Sequence, residues 1–278
     1  MQKDPKLFRN PVVTFSFIFL LILALLAILA PLVTPYTYYE QSATQALQGP
    51  SSLHWMGTDT LGRDLFSRIL FGARISLALG ICTSVLALFF GLLVGCLSGF
   101  KGGWIDTLLM RLVDLFYIFP APLMAILFTL ILGREFFGIC AALTLTSWMT
   151  QARLVRAQVL QAREQSYVEA ARALGVSPFR ILTRHILPNI AGPLIASLTL
   201  QIPTNMMHES FLSFIGLGLQ PPLSSWGTLA QEGFRAMQSY PHLTLFPSII
   251  LFTTLLAFQS VGNGVWEMID PHNRMTVK

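Results

Sequence analysis

Long apolar runs constrain this 278-residue chain more than any other feature of its sequence. Several of them reach the length of about 20 residues that a helix, rising ~1.5 Å per residue, needs to cross a hydrocarbon layer ~30 Å thick. Only 11% of the residues are charged, whereas an ordinary soluble domain has roughly 25%. The chain is therefore predicted to be an all-α integral membrane protein.

These runs predict six transmembrane helices. They cover residues 12–33, 73–98, 105–132, 137–152, 190–215 and 243–266. The first run is longer than the ~7–15-residue apolar core of a cleaved signal peptide, so it is expected to remain as an anchor. The fourth is short in apolar length, and nothing breaks the helical pattern after it, so its helix is expected to continue into water through Gln151 to Arg163.

The distribution of Lys and Arg predicts the orientation of the chain. With the N-terminus inside, twelve of the 18 basic residues fall in inner segments and four in outer segments, while Arg74 and Arg111 fall within spans. Because cytoplasmic loops carry the excess of Lys and Arg, both termini are predicted to be cytoplasmic. The net charge of +5 is therefore explained by the orientation of the chain in the membrane, and nucleic acid is not expected as a partner.

The predicted outer loop, residues 34–72, ends in the segment MGTDTLGRDLFSRILFGAR, which has the pattern of an amphipathic helix before the second span. On a helix, Asp59–Arg63 and Asp64–Arg68 are pairs in the favoured acid-before-base order at i and i+4. They predict either an exposed face with salt bridges or a surface that meets a delivery protein.

Small residues recur at every fourth position of the second span: Ala87, Gly91, Gly95 and Gly99. A stripe of small side chains lets a neighbouring helix approach closely, so this pattern predicts helix packing. In the third span, Arg111 and Asp114 are three residues apart and are expected to neutralise each other.

Metal chemistry is not favoured by the sequence. The histidines are scattered, no HExxH motif is present, and the cysteines lie in apolar runs without CxxC spacing. Cys82, Cys96 and Cys140 are therefore predicted to be packing residues. A membrane-embedded metalloprotease fails for the same reason, and no resident metal or cofactor is expected.

The charged stretch EQSYVEAARALGVSPFRILTRHILPN, residues 164–189, has the pattern of helix, turn and helix. Its first helix ends before Gly175, which suits the left-handed position past a helix end. Ser177 and Pro178 suit the N-cap and first position of the second helix, which Pro188 is expected to stop. Two short helices on the cytoplasmic side are therefore predicted.

The same stretch resembles the EAA loop of inner-membrane permease subunits of ABC importers, the element that seats in a groove on the ATPase subunit. Glu169-Ala170-Ala171, Gly175 and Leu187-Pro188 match its pattern, and the small alanines would allow close approach. Where the general pattern has Ile, this chain has His185, and RHILPN resembles the peptide and nickel branch of the family. The resemblance implies that the ATPase-coupling residues are Glu169, Ala170, Ala171, Arg172, Gly175, Leu187 and Pro188.

Three further segments resemble the second permease subunit of dipeptide and oligopeptide importers: GTDTLGRDLFSRILFGARISL, ESFLSFIGLGLQPPLSSWG and DPHNR. The resemblance implies a type I ABC importer permease fold, with an anchor and outer loop in residues 1–72. Residues 73–278 would form a five-helix core containing the coupling loop 153–189. The implied cargo is a peptide, with nickel or a metal chelate as the alternative.

The resemblance also implies partners, because one chain supplies one coupling loop. A sister permease subunit would complete the pore, two ATP-binding subunits would drive it, and an extracytoplasmic peptide-binding protein would deliver the cargo. The chain has no GxxxxGK[ST] motif, so ATP must be hydrolysed by another polypeptide. The protein is accordingly predicted to be a transport subunit and not an enzyme, in contact with inner-membrane lipid.

The fifth span contains more polar and helix-breaking residues than a lipid-facing helix tolerates: Pro193, Gln201, Pro203, Asn205, His208 and Glu209. It is expected to face protein or a water-filled cavity. Our hypothesis is that Asn205, His208 and Glu209 line the translocation path; an interlock with the sister subunit is the alternative. A transporter driven by ions alone, with Glu209 or Asp114 as proton carrier, is the rival class.

After the fifth span, residues 226–238 have the pattern of an amphipathic segment on the outer side, with Trp226 at the membrane interface. This segment is expected either to plug the outer mouth of the pathway or to meet the delivery protein.

Overall fold

The computed structural model describes residues 10–269, and the structure over this range is helical, without a β-strand beyond an isolated pairing of Thr58 with Asp64. The long helices are α1 (Pro11–Ile28), α3 (Leu65–Lys101), α4 (Gly103–Tyr117), α5 (Ala121–Leu132), α6 (Phe136–Arg163), α9 (Leu187–Leu212) and α11 (His242–Ile269). The short ones are α2 (Ala30–Val33), α7 (Ser166–Ala173), α8 (Pro178–Ile181) and α10 (Trp226–Phe234). The segment DPHNR lies outside the described residues.

Each predicted span has a helical counterpart. By length and apolarity, four helices of the described chain are able to cross a membrane: Pro11–Ile28, Leu65–Lys101, Pro178–Leu217 and His242–Ile269. The pair α4 and α5, bent by 88°, adds a fifth if it is one span. The predicted fourth span corresponds to α6, which is not among these four because its second half is polar; as predicted, it continues as one helix to Arg163.

The predicted packing stripe of α3 is confirmed, and its neighbour is α6. A Cβ atom added at Gly91 would lie 2.5 Å from Gln151 Cβ, and one at Gly95 would lie 2.6 Å from Ala152 O. Because real Cβ atoms do not approach backbone oxygen this closely, only glycine permits the observed helix separation. The stripe therefore fixes α3 against α6 along the half of the bundle that leads to the coupling loop.

Arg74 lies within α3 and reaches the end of α1. Its Nη2 donates to Ile28 O at 2.5 Å and its Nε donates to Ala27 O. These carbonyl groups lie in the last turn of α1, where the regular bonds to residues four positions further along the helix end. A charged residue inside a predicted span is thus used to fasten the N-terminal helix to the core.

No separate amphipathic helix precedes the second span, contrary to the prediction. Asp64 is the N-cap of α3, and its Oδ2 accepts from Ser67 N at 2.8 Å. From Leu65 the helix runs without interruption to Lys101. The cap sets the start of the helix, and the predicted division at residues 72 and 73 falls inside it; the two-part organisation of residues 1–72 and 73–278 stays a prediction.

The predicted pairing of the outer loop is right for Asp59–Arg63 and wrong for Asp64–Arg68. Arg63 Nε donates to Asp59 Oδ2 at 2.6 Å, although neither residue lies on a helix. Arg68 Nη1 donates to Asp59 Oδ2 at 2.6 Å and to Glu232 Oε2 at 2.7 Å. Asp59, Arg63 and Arg68 are buried, so the cluster joins the outer loop to α10 and is not an exposed face.

The remaining corrections concern Trp226 and Arg111. Trp226 is fully buried, and its Nε1 donates to Ile69 O at 3.0 Å, so it is not an interfacial residue. The predicted Arg111–Asp114 pair does not form, because Asp114 Oδ1 accepts from Arg153 of α6 at 2.5 Å. In both cases the partner comes from a distant part of the sequence.

Candidate coupling and pathway sites

The short helix α7 carries four of the seven predicted coupling residues, Glu169, Ala170, Ala171 and Arg172, and its end follows the expected pattern. Gly175 has φ +74°, and its N–H donates to Arg172 O at 2.9 Å. Val176 N–H donates to Ala171 O at 3.1 Å. These two bonds form a Schellman motif, which turns the chain sharply after α7.

The coupling residues divide between two faces of α7. Glu169, Ala170 and Arg172 are exposed, whereas Ala171 is buried. Together with Val168, Ala171 packs in an apolar cluster with residues of α6, α8 and the turn before α9, including Val155, Val159, Ala162, Ile181 and Ile186. Ala171 therefore holds α7 to its own subunit, and only Ala170 of the two alanines presents a small side chain to the outside.

The helix that follows the turn does not stop at Pro188, contrary to the prediction. Ser177 and Pro178 begin α8 as predicted, and Leu182–Ile186 then forms a π-helical turn. In that turn Leu187 N–H donates to Leu182 O, five residues back. The wider turn accommodates Pro188, which has no N–H for a bond four residues back, so the helix continues into α9.

Three exposed apolar side chains lie in the same stretch and were not predicted as site residues: Tyr167, Leu174 and Phe179. Leu174 is 83% exposed and Phe179 is 77% exposed. Their presence in an otherwise polar segment could have indicated a contact surface from sequence alone, because exposed apolar side chains do not stabilise a hairpin that is only solvated. Like Ala170 and Gly175, they are exposed on α7 and in the turn and helix that follow it.

Asn205 is fully buried at the junction of three helices. Its Nδ2 donates to Ser84 Oγ of α3 at 2.9 Å, and its Oδ1 accepts from Ser147 Oγ of α6 at 2.7 Å. Gln201 Nε2 also donates to Asn205 Oδ1, at 3.1 Å, and Gln151 Nε2 donates to Gln201 Oε1 at 3.2 Å. A polar group buried in an apolar bundle needs hydrogen-bond partners, and this chain of bonds gives one to each of the five residues.

Glu209 is 1% exposed and is bonded within the subunit. Its Oε1 accepts from Ser213 Oγ at 2.7 Å and from Ser225 Oγ at 2.6 Å. Ser225 also caps α10, since its Oγ accepts from Thr228 N at 3.2 Å. Glu209 thus ties α9 to the segment that begins α10. His208 is half-buried, so it is the one of the three predicted pathway residues that has a partly accessible side chain.

Within residues 10–269, no group of three or more His, Cys, Asp and Glu side chains is arranged to hold a metal ion. The structure brings Asn205 and Gln201 together with Gln151, but Glu209 belongs to a separate set of hydrogen bonds. The serines that complete both sets were missed from sequence, because a lone serine in an apolar run carries no signal of its partner.

Two family models match the sequence. Residues 88–275 match the binding-protein-dependent transport system inner membrane component. Residues 6–50 match the N-terminal transmembrane domain of oligopeptide transport permease C.

Relatives of known name match over nearly the full chain. The oligopeptide transport system permease protein OppC of Bacillus subtilis is 41% identical over 276 residues, which cover 99% of this chain and 90% of that protein. The dipeptide transport system permease protein DppC of the same organism is 38% identical, covering 97% of this chain and 84% of the relative. The glutathione transport system permease protein GsiD of Pectobacterium atrosepticum is 37% identical, covering 95% and 88%.

A solved structure shares the fold. A chain of the MetNI methionine ABC transporter in an inward-facing conformation superposes with a TM-score of 0.61 over 74% of this chain and 96% of that chain. The identity is 18%, so this likeness concerns the arrangement of the helices alone.

Proposed function

Because this chain belongs to the family of inner membrane components of binding-protein-dependent transport systems, we propose that it is one of two permease subunits of an ATP-driven importer of peptides. The single observation that carries the proposal is the full-length similarity to oligopeptide and dipeptide permeases. The named relatives also include a glutathione permease, whose cargo is itself peptide-like. Nickel or a metal chelate is the alternative cargo, which the test must distinguish from a peptide.

The partners of the proposed importer follow from its need for energy and symmetry. A sister permease subunit completes the pore, two ATP-binding subunits supply the energy, and an extracytoplasmic peptide-binding protein delivers the cargo. Both termini and the coupling loop lie on the cytoplasmic side, which the excess of Lys and Arg in those segments supports.

The ATPase contact in this proposal is the outward face of α7 and the turn after it. Glu169 and Arg172 offer charge-assisted hydrogen bonds, and Ala170 lets the partner surface come close. Leu174 and Phe179 add exposed apolar area beside them. Ala171 and Leu187 act indirectly, by packing α7 and the next helix onto the apolar cluster that includes the end of α6. Pro188, which is exposed, lies in the first turn of α9.

For Asn205, His208 and Glu209 we also propose a place beside the translocation path. Asn205 and Glu209 already have hydrogen-bond partners within the subunit, so in this proposal those bonds exchange with cargo or water as the bundle moves. The polar character of α9, which a lipid-facing helix would not tolerate, supports the proposal.

The function is tested with the complete assembly, purified from native membranes through a tag on this chain and placed in liposomes with its binding protein. Co-purifying subunits are identified by mass spectrometry, and uptake of radiolabelled trialanine is measured with ATP. We expect a sister permease and ATP-binding subunits to co-purify. Peptide uptake should depend on ATP, which those subunits hydrolyse because the chain has no ATPase motif of its own.

Three results would contradict this function. Uptake that persists without ATP when a proton gradient is kept would indicate an ion-driven transporter. A binding protein that takes nickel and ignores trialanine would indicate a metal importer. Transport by this chain alone would show that no separate ATPase is needed, and hence no loop that couples to one.

A further inference from the structure

The two arginines nearest the middle of α6 bond to acidic residues of α4. Arg156 donates from Nε to Asp106 Oδ1 and from Nη2 to Asp106 Oδ2, each at 2.6 Å. This two-point bond fixes the relative orientation of the two groups as well as their separation. Ser98 Oγ of α3 donates to the same carboxylate. Asp106 is therefore the point at which α3, α4 and α6 are joined by polar bonds.

A second connection between α4 and α6 lies two turns further along α4. Arg153 Nη2 donates to Asp114 Oδ1 at 2.5 Å, and its guanidinium group lies 3.9 Å from the centre of the Tyr117 ring. The Tyr117 hydroxyl lies 3.1 Å from Thr150 Oγ1. The side chains of Arg153 and Asp114 are 42% and 57% exposed, so water weakens this pair more than it weakens Arg156–Asp106.

Apolar packing holds α4 weakly within the subunit. Of its fifteen residues, all of which the structure describes, only Val113 is buried. The connection from α3 is Gly102, with φ +68°, and α4 begins at Gly103, with φ +59°. After Tyr117 the chain bends by 88° into α5. Since neither end of α4 continues a straight helix, the bonds at Asp106 and Asp114 determine how firmly it follows α6.

The same C-terminal half of α6 is packed against α7. Val168 of α7 and Val155, Val159 and Ala162 of α6 belong to one apolar cluster, and only Glu164 and Gln165 separate the two helices. Arg163 Nη1 also donates to Gly99 O at 3.3 Å and to Phe100 O at 3.4 Å at the end of α3. A displacement of α7 is thus passed to α6 through packed side chains.

We propose that Arg156–Asp106, assisted by Arg153–Asp114, makes α4 follow α6 when the ATPase moves α7. Asp106 and Asp114 are then positioning residues for transport, acting between the coupling helix and the bent pair α4–α5. The inference rests on the proposed function. Without the two-point bond, α7 and α6 still move with the ATPase but α4 does not follow fully. ATP is then hydrolysed without the complete conformational change of the translocation path.

The test compares four variants of the complete assembly in liposomes: Asp106→Asn, Arg156→Gln, the reversed pair Asp106→Arg with Arg156→Asp, and Arg111→Gln. The last removes an exposed arginine of α4 and serves as the matched control. ATP hydrolysis and uptake of radiolabelled trialanine are measured together. The two single variants should keep ATP hydrolysis and lose about fivefold or more of the peptide imported per ATP, as expected for a lost conformational coupling. The reversed pair should recover much of this loss.

A second measurement does not depend on the cargo. A single cysteine replaces Leu115, which is 59% exposed on α4, in a chain whose three native cysteines are replaced by alanine. Its rate of labelling should change on addition of ATP with native Asp106, and this change should be lost in Asp106→Asn.

The inference is overturned if Asp106→Asn imports as much peptide per ATP as the unmodified assembly, or if the reversed pair is no better than the single variants. It is also overturned if ATP leaves the labelling rate unchanged when Asp106 is present. Should Asp106→Asn fail to assemble, Arg153→Gln and Asp114→Asn remove an exposed pair instead, and normal coupling in both would contradict the inference. An unmodified assembly that imports no peptide contradicts the proposed function alone.

Discussion

At the level of single residues, the buried Asn205 and Glu209 of α9 are each satisfied by a short chain of hydrogen bonds. Glu209 illustrates the consequence for function. Ser213 and Ser225 donate to its Oε1. Replacing Glu209 by an apolar residue would therefore remove both the hydrogen bonds that hold α9 and the acidic group beside the proposed path. A useful variant must separate these two effects.

Glu209→Gln is expected to change cargo preference. The amide oxygen still accepts from the serines, so the assembly should form, but the attraction of an acid for cationic cargo is lost. We expect uptake of radiolabelled trilysine to fall relative to trialanine in the liposome assay. Ser213→Ala is the matched control, because it removes one hydrogen bond and keeps the acid.

An equal loss of uptake for both peptides in Glu209→Gln would contradict the pathway role and assign Glu209 to holding α9. Unchanged rate and preference, with intact assembly, would do the same. A change of preference in Ser213→Ala would show that the bond, and not the acid, is responsible.

At the level of helices, α7 has one exposed face, which is the proposed ATPase contact, and one face packed against its own subunit. Ala170 lies on the first face, where it is exposed, and Ala171 lies on the second, where it is 5% exposed. The two residues are adjacent and identical, and they differ only in the direction imposed by the helix. They therefore form a natural pair for testing the coupling surface.

Ala170→Trp is expected to release the ATPase while leaving the subunit folded. A large side chain at an exposed position prevents close approach of a partner but does not disturb the core. Ala171→Trp should instead lower the stability of the subunit by about 1–3 kcal/mol or more, because it overfills a packed cluster. Co-purification of the ATPase and the thermal unfolding midpoint in detergent measure the two effects.

Retention of the ATPase by Ala170→Trp, with normal transport, would show that the outward face of α7 is not the contact. An unfolding midpoint in Ala171→Trp equal to that of the unmodified subunit would contradict the assignment of the inward face.

At the level of the whole molecule, an ion-pair cluster lies at the start of α3, and Arg163 of the predicted coupling loop bonds to the end of the same helix. The cluster of Asp59, Arg63, Arg68 and Glu232 joins the outer loop to α10. The positions of Lys and Arg predict that the coupling loop is cytoplasmic. The orientation of the entire chain is thus a single proposal that two positions can test.

Single cysteines at Leu174 and Leu53 are expected to react from opposite sides of the membrane. Both positions are well exposed, at 83% and 66%, so burial does not limit the reaction. In intact cells, a membrane-impermeant maleimide should label the cysteine at position 53 and should label that at position 174 only after the membrane is opened. Labelling of position 174 in intact cells would reverse the proposed orientation.

The sequence by itself determined the features that depend on neighbouring residues along the chain. Apolar run length predicted the helices, because every backbone polar group in lipid must be bonded within its own segment. The spacing of Gly91, Gly95 and Gly99 predicted close packing, and Gly175 with Ser177 and Pro178 predicted the turn after α7. Each of these signals is local, since it concerns the conformation or the surface of one helix.

The tertiary structure alone decided which groups meet. Asp114 bonds to Arg153 and not to Arg111, Arg68 bonds to Asp59 and Glu232 and not to Asp64, and Ala171 turns inward where the resemblance implied an outward role. Helical spacing brings residues three or four apart within reach of each other, but a buried charge is stabilised by whichever partner the packed helices bring closest. That partner comes from another part of the chain, so a pattern along one segment cannot predict it.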